Sequence, residues 1–208
     1  MDWPRPFDYP RQPHRRRHGP TGYVTYKAYK PWLRDEFTFR CVYCLERETW
    51  YPSRSAAFSI DHFEPKIVNP ELATDYENLV YACLRCNSVK GVQTHLPDPT
   101  MVALGDHVRV DEEGVVHAIT SEGGRLIDAL HLDVYPATVV RRETLAILRA
   151  KQKLPADPDI HQLFLIRFGY PLDLPDLRLC RPGGNAIPGS ELSCYAATKE
   201  RTELPEVY

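Results

Sequence analysis

The sequence predicts an α+β fold, in which a small strand–loop–strand–helix unit is pinned by four cysteines and extended by a hairpin and helices. Three observations predict it. Two cysteine pairs, Cys41-Val42-Tyr43-Cys44 and Cys83-Leu84-Arg85-Cys86, are separated by 38 residues, and paired C-x-x-C knuckles of this kind suit a four-thiolate zinc centre. Between them lie two short β-prone runs, one ending in Asp61-His62 and one leading into the second knuckle. Beyond them, residues 108–119 read as two strands around a Gly-containing turn, and the segments after it carry helical periodicity.

Each element has a local reason. Residues 1–22 contain Pro4, Pro6, Pro10, Pro13 and Pro20, which oppose regular structure, so an extended leader is expected. Residues 23–39 mix aromatic and basic side chains in a pattern compatible with a short helix entering the first knuckle. Residues 39–51 should form a turn-rich metal knuckle. Residues 57–60 are a β-prone run that delivers Asp61 and His62 at its end, after which Pro65 and Pro70 force a loop. A second strand over 78–81 leads into a helix beginning near Cys83, with Gly91 as its stop. Asp111-Glu112-Glu113-Gly114 turns the hairpin. Helices follow over 125–132, from Pro136, and over 160–168; in the second, Val140, Leu145, Ile147 and Leu148 are expected to face the core opposite Arg141, Arg142 and Arg149. Pro171, Pro175, Pro182, Gly183, Gly184 and Pro188 argue against long regular elements beyond that point.

Composition narrows the function classes. Hydrophobic residues make up 43% of the 208, yet no run approaches the roughly 18 apolar residues of a membrane helix. The opening residues carry no signal-peptide core, so a reducing cytoplasm is expected, where paired C-x-x-C reads as metal before disulfide. Cys180 and Cys194 are left over as inert thiols. The net charge of -2 is uneven: residues 1–34 hold eight Lys and Arg against two Asp, a balance of +6, and the remainder carries -8. The basic end, with Arg15, Arg16 and Arg17 between His14 and His18 and aromatics at Tyr9, Tyr23, Tyr26, Tyr29 and Trp32, reads either as a nucleic-acid arm or as a solvated leader.

Asp61-His62 is a pair of a kind that holds a metal and activates water. The run CVYC, IDHFEP and ENLVYACLRCNSVKG, about residues 38–92, resembles the HNH endonuclease family, specifically its zinc-ribbon-bearing branch. The resemblance implies a ββα-metal core. It also implies that His62 is the general base, that Asp61 and Asn87 bind a catalytic divalent ion, and that Asn78 orients the loop carrying the base. Imidazole accepts a proton near neutral pH, which suits a base. A carboxylate and an amide are hard oxygen donors, which favours Mg²⁺ or Mn²⁺ there, with Zn²⁺ held structurally by Cys41, Cys44, Cys83 and Cys86. Lys90, three residues after Asn87, and Lys66 are candidate phosphate contacts, with a solvated surface charge as the alternative for each. His95, His107 and His117 have no partner pattern and receive no role.

The resulting expectation is a metal-dependent endonuclease acting on DNA. The rival from another class is a zinc-ribbon nucleic-acid-binding module without catalysis, against which the joint presence of Asp61, His62 and Asn87 argues. A looser resemblance, to HNH subunits of bacterial anti-phage systems that work beside an ATPase, suggests such a partner. The expected organisation is a basic arm over 1–34, a nuclease core over 35–100, and an accessory hairpin and helical region over 101–208.

Overall fold

Two five-residue strands and one short helix form the centre of the fold, seen in a computed structural model that describes residues 5–173, 176–180 and 184–185. In chain order, β1 is Pro20–Thr21, α1 Lys30–Glu36, β2 Phe58–His62, β3 Leu79–Cys83, α2 Leu84–Lys90, β4 Val108–Val110, β5 Val116–Ala118, α3 Ser121–Leu130, α4 Tyr135–Lys153, α5 Pro158–Phe168 and β6 Gly184–Asn185. Strands β2 and β3 pair antiparallel with Asp61 opposite Val80 and His62 opposite Leu79. All five residues of β3 are buried, as expected of a strand covered on both faces. Helix α2 starts at Cys83, whose sulfur accepts from the Cys86 amide, and stops at Gly91, where φ is +53°. That left-handed angle costs glycine little and other residues more.

The knuckle between α1 and β2 is closed by the Arg40–Arg47 bridge and fixed to its surroundings by a buried ionic network. Arg34 of α1 pairs with Glu48 at 3.0 Å, and Glu48 also accepts from Tyr81 of β3 at 2.9 Å. Charges removed from water in this way persist only when their bonds are made. Helix α5 docks on the same knuckle, where Arg47 donates to the Phe168 carbonyl at 3.1 Å and Trp50 to the Arg167 carbonyl at 2.8 Å. Leu148, Phe164 and Phe168 form a small apolar cluster between α4 and α5.

The hairpin and helices follow the sequence reading closely, with one correction. Arg141 was expected opposite the apolar face of α4, but it is buried, donating to the Gly114 and Leu132 carbonyls at 2.6 and 2.8 Å. A guanidinium can face inward where its Nε and Nη2 donors find carbonyls that the hairpin turn and the α3–α4 connection leave open. None of the described helices is long and apolar enough to cross a membrane.

The N-terminal segment, expected as a leader, is part of the main core through Phe7, Tyr9, Tyr23 and Tyr29. Tyr9 donates to the Tyr43 carbonyl at 2.8 Å. Gly105 lets it lie close: a Cβ there would fall 2.5 Å from the Tyr9 carbonyl oxygen. The buried Glu36 carboxylate then collects His14 Nε2, the amides of Arg17 and His18, and the Tyr76 hydroxyl, all between 2.8 and 3.1 Å. Residues 1–4 and 186–208, with Cys194 and Pro188, lie outside the described residues, as do Pro175, Pro182 and Gly183.

Candidate functional site

Cys41, Cys44, Cys83 and Cys86 come together, with all four sulfurs within 4.8 Å of one another and all four residues buried. The Cys44–Cys83 sulfur separation is 3.8 Å, which is about the edge of a tetrahedron with metal–sulfur bonds near 2.3 Å. The donor set therefore fits a metal. Hydrogen bonds from the neighbouring thiols hold Cys83 well below the ordinary thiol range, while burial pushes Cys44 up. Four buried sulfurs without a cation cannot all ionise, whereas a dication allows each to bind as thiolate. Arg85, 3.5 Å from the Cys86 sulfur, adds a second positive charge beside the cluster.

Strand β2 carries the other two candidates to its C-terminal end. Asp61 is 3% exposed and both carboxylate oxygens are engaged: Oδ2 accepts from the Tyr43 hydroxyl at 2.6 Å and Oδ1 from Lys90 Nζ at 3.3 Å. Burial raises its carboxyl above the ordinary value, against the opposing pull of the Lys90 ammonium and the Tyr43 hydroxyl. Each carboxylate oxygen still has a second lone pair for a ligand. Tyr43, its own ionisation pushed far up by burial and by the Asp61 charge, stays a donor.

His62 lies next in the strand, with Nε2 2.9 Å from the Ala73 carbonyl. A carbonyl only accepts, so the neutral ring carries its proton on Nε2, which leaves Nδ1 with its lone pair. The loop after it is held by Asn78, whose Oδ1 accepts from the Glu64 amide at 2.8 Å and whose Nδ2 donates to the Glu64 and Leu72 carbonyls at 3.0 and 3.3 Å. One side chain thus bridges both ends of the β2–β3 connection.

Asn87, on α2, donates from Nδ2 to Ser59 Oγ at 2.7 Å and to the Ile60 carbonyl at 3.3 Å. The carbonyl fixes the sense of the amide, and Oδ1 takes no hydrogen bond among the described residues. Asn87 is therefore stapled to the backbone directly before Asp61. A carboxylate and an amide oxygen on adjacent elements fit a hard divalent ion completed by water.

The predicted phosphate contacts divide. Lys66 is exposed, with its ammonium 5.1 Å from the Tyr26 ring centroid. Lys90 was expected to reach phosphate; its side chain instead has 0% exposure, donating to Asp61 and, at 2.8 Å, to the His62 carbonyl. The helical spacing was right and the direction inward, since α2 packs this face on β2. Arg15 is exposed. Arg16 turns inward, donating to the Glu77 and Leu79 carbonyls at 2.9 and 2.8 Å and lying over Phe37 and Tyr76. Arg17 donates to the carbonyls of Asp35 and Glu36 at the end of α1. Of the three arginines, Arg15 is exposed, Arg17 keeps about a third of its side chain in solvent at 32%, and Arg16 is nearly closed off at 7%.

Two residues near the site had no signal of their own in the sequence. Tyr43 occupies a variable position inside a C-x-x-C knuckle, and Tyr26 stood among the aromatics of the basic stretch; the latter ring packs edge-on against His62, with centroids 4.6 Å apart. His107 and His117, without an assigned role, bond Thr120 and Asp111.

Comparison with known proteins agrees with this geometry. Residues 41–93 match the family described as HNH endonuclease. The chain is 28% identical over 118 residues to the Septu protein PtuB of Bacillus thuringiensis, covering 51% of this chain and 43% of that protein. The matched family segment runs from the first knuckle cysteine to just past α2 and contains the β2–β3–α2 unit with all four sulfurs, Asp61, His62, Asn78 and Asn87. The chain therefore carries a domain of the HNH endonuclease family at residues 41–93.

Proposed function

We propose that the protein is a metal-dependent endonuclease that hydrolyses phosphodiester bonds of DNA, with His62 as general base. Support comes above all from Asn87, whose bond to the Ile60 carbonyl ties its side chain to the residue directly before Asp61, with His62 following in the same strand. Asp61 and Asn87 hold Mg²⁺ or Mn²⁺, which when bound neutralises charge on the scissile phosphate and leaving oxygen. His62, its Nε2 proton fixed on Ala73, receives a proton from the attacking water at Nδ1. Asn78 keeps the loop behind the base in register, and Tyr43 and Lys90 hold Asp61. The four cysteines hold Zn²⁺ as a structural ion, since thiolates suit zinc and oxygen donors suit magnesium. The catalytic unit corresponds to residues 35–100, with 1–34 and 101–208 as its buttress and accessory region.

The likeness to a Septu protein supports a place in anti-phage defence beside an ATPase partner. Supercoiled plasmid incubated with the full chain and Mg²⁺ or Mn²⁺ should be cut, EDTA should stop the reaction, and His62→Ala should lower the rate by about 10²–10⁴-fold. Intact plasmid, both with the chain alone and with any co-purifying ATPase, would overturn the reading in favour of a binding module.

A further inference from the structure

The stretch from Tyr26 to Lys30 runs alongside β2 and touches it at both ends. Lys30 donates to the carbonyls of Ser55 and Phe58, each at 2.7 Å, where the strand begins. One helical turn earlier, Tyr26 meets His62 where the strand ends, ring centroids 4.6 Å apart and planes at 68°. The stretch is itself held down. Thr25 Oγ1 accepts from the Lys27 amide at 3.4 Å, and the buried Tyr29 packs on Tyr23 and Tyr76 with centroids 4.8 and 5.5 Å away. Tyr26 is only half-buried, and the exposed Lys66 places its ammonium 5.1 Å from the same ring. One aromatic ring therefore supports both an imidazole and a cation.

We infer that Tyr26 is a positioning residue for the reaction, fixing the plane of the His62 imidazole while keeping the Lys66 ammonium beside it to draw in a backbone phosphate of the substrate. This rests on the reading of His62 as base. The Ala73 carbonyl restrains only one ring nitrogen, and an imidazole held at one point can still swing about that bond; the Tyr26 ring blocks the swing. Because the contact is made by the ring, a phenylalanine should serve as well. The cation–aromatic contact likewise biases a long, mobile lysine toward the base instead of open solvent. Displacement of a reacting group by about 1 Å costs on the order of a hundredfold, so the effect should appear in kcat.

The test uses the full chain with Mn²⁺ and supercoiled plasmid, comparing Tyr26→Leu, Tyr26→Phe, Lys66→Gln and His62→Ala, together with ¹⁵N spectra of the histidine ring nitrogens. Tyr26→Leu should lower kcat by about tenfold to a hundredfold and, by releasing Lys66, raise KM about as much as Lys66→Gln does, with the melting temperature near wild type. Its His62 signals should move from the single Nε2-protonated form toward a tautomer mixture. Tyr26→Phe should keep both rate and spectrum. Lys66→Gln, an exposed change that leaves folding intact, should raise KM several-fold with kcat unchanged, and should flatten the slope of log affinity against log salt by roughly 0.9, measured with His62 also replaced. Wild-type kcat and unchanged His62 signals in Tyr26→Leu, beside an inactive His62→Ala, would overturn this proposal alone. Full activity of His62→Ala would overturn the base assignment and this proposal with it.

Discussion

Tyr43 donates its hydroxyl to Asp61 across 2.6 Å, so a side chain held between two knuckle cysteines orients the carboxylate at the end of β2. The same residue is gripped from behind, its carbonyl accepting from Tyr9. The cysteine cluster and the Asp61 site are thus separated by one hydrogen bond.

Tyr43→Phe should leave the cysteine cluster and its metal content intact while deleting the donor to Asp61. A buried acceptor left unpaired costs about 1–3 kcal/mol. A metal titration of cleavage should show a higher half-saturating Mg²⁺ concentration, and a titration curve superimposable on wild type would refute the link.

Lys90→Met separates a structural from a phosphate-binding role. Its ammonium is fully buried against Asp61 and the His62 carbonyl, and breaking one side of a buried pair costs about 3–5 kcal/mol. Urea unfolding should register that loss. Unchanged stability with weaker DNA binding would restore the phosphate role.

Glu36 makes folding of the N-terminal segment sensitive to acid. Burial alone would raise its carboxyl, but the His14 ring, the Arg17 amide and the Arg16 charge bring it from 4.5 down to about 2. A depressed carboxyl contributes stability above its unfolded value, and that contribution disappears as pH falls from about 4.5 to about 2. The difference corresponds to about 3 kcal/mol. Thermal melts of wild type should fall through this window, whereas Glu36→Gln should start lower and be flatter there. Parallel pH profiles for the two proteins would contradict the assignment.

Arg15 and Arg16 should behave oppositely despite being neighbours. Arg16→Ala removes the donor to the Glu77 and Leu79 carbonyls at the entry to β3 and a guanidinium lying over Phe37 and Tyr76, so it should destabilise by about 1–3 kcal/mol. Arg15→Ala, at an exposed position, should leave melting unchanged. If Arg15 contacts a phosphate, its loss flattens the salt dependence of DNA binding by roughly 0.9; an unaltered slope would remove the segment from the DNA interface.

The sequence by itself determined the β2–β3–α2 unit and the members of its cysteine cluster, because C-x-x-C spacing, a β-prone run ending in Asp61-His62, and Gly91 act over a few residues each. It likewise determined the hairpin and three later helices, whose periodicity and turn residues are equally local. What only the tertiary structure decided is direction. Lys90 and Arg141 carry the charge of surface residues and face inward, since the carboxylate and carbonyls that satisfy them come from segments distant in the chain. The basic, proline-rich start reads as a leader by composition, yet it is packed into the core by Glu36, 18 residues beyond His18, and by the Leu79 carbonyl, 63 residues beyond Arg16. Local patterns specify which backbone shape a segment adopts, while the choice between solvent and a buried partner depends on groups that only folding brings together.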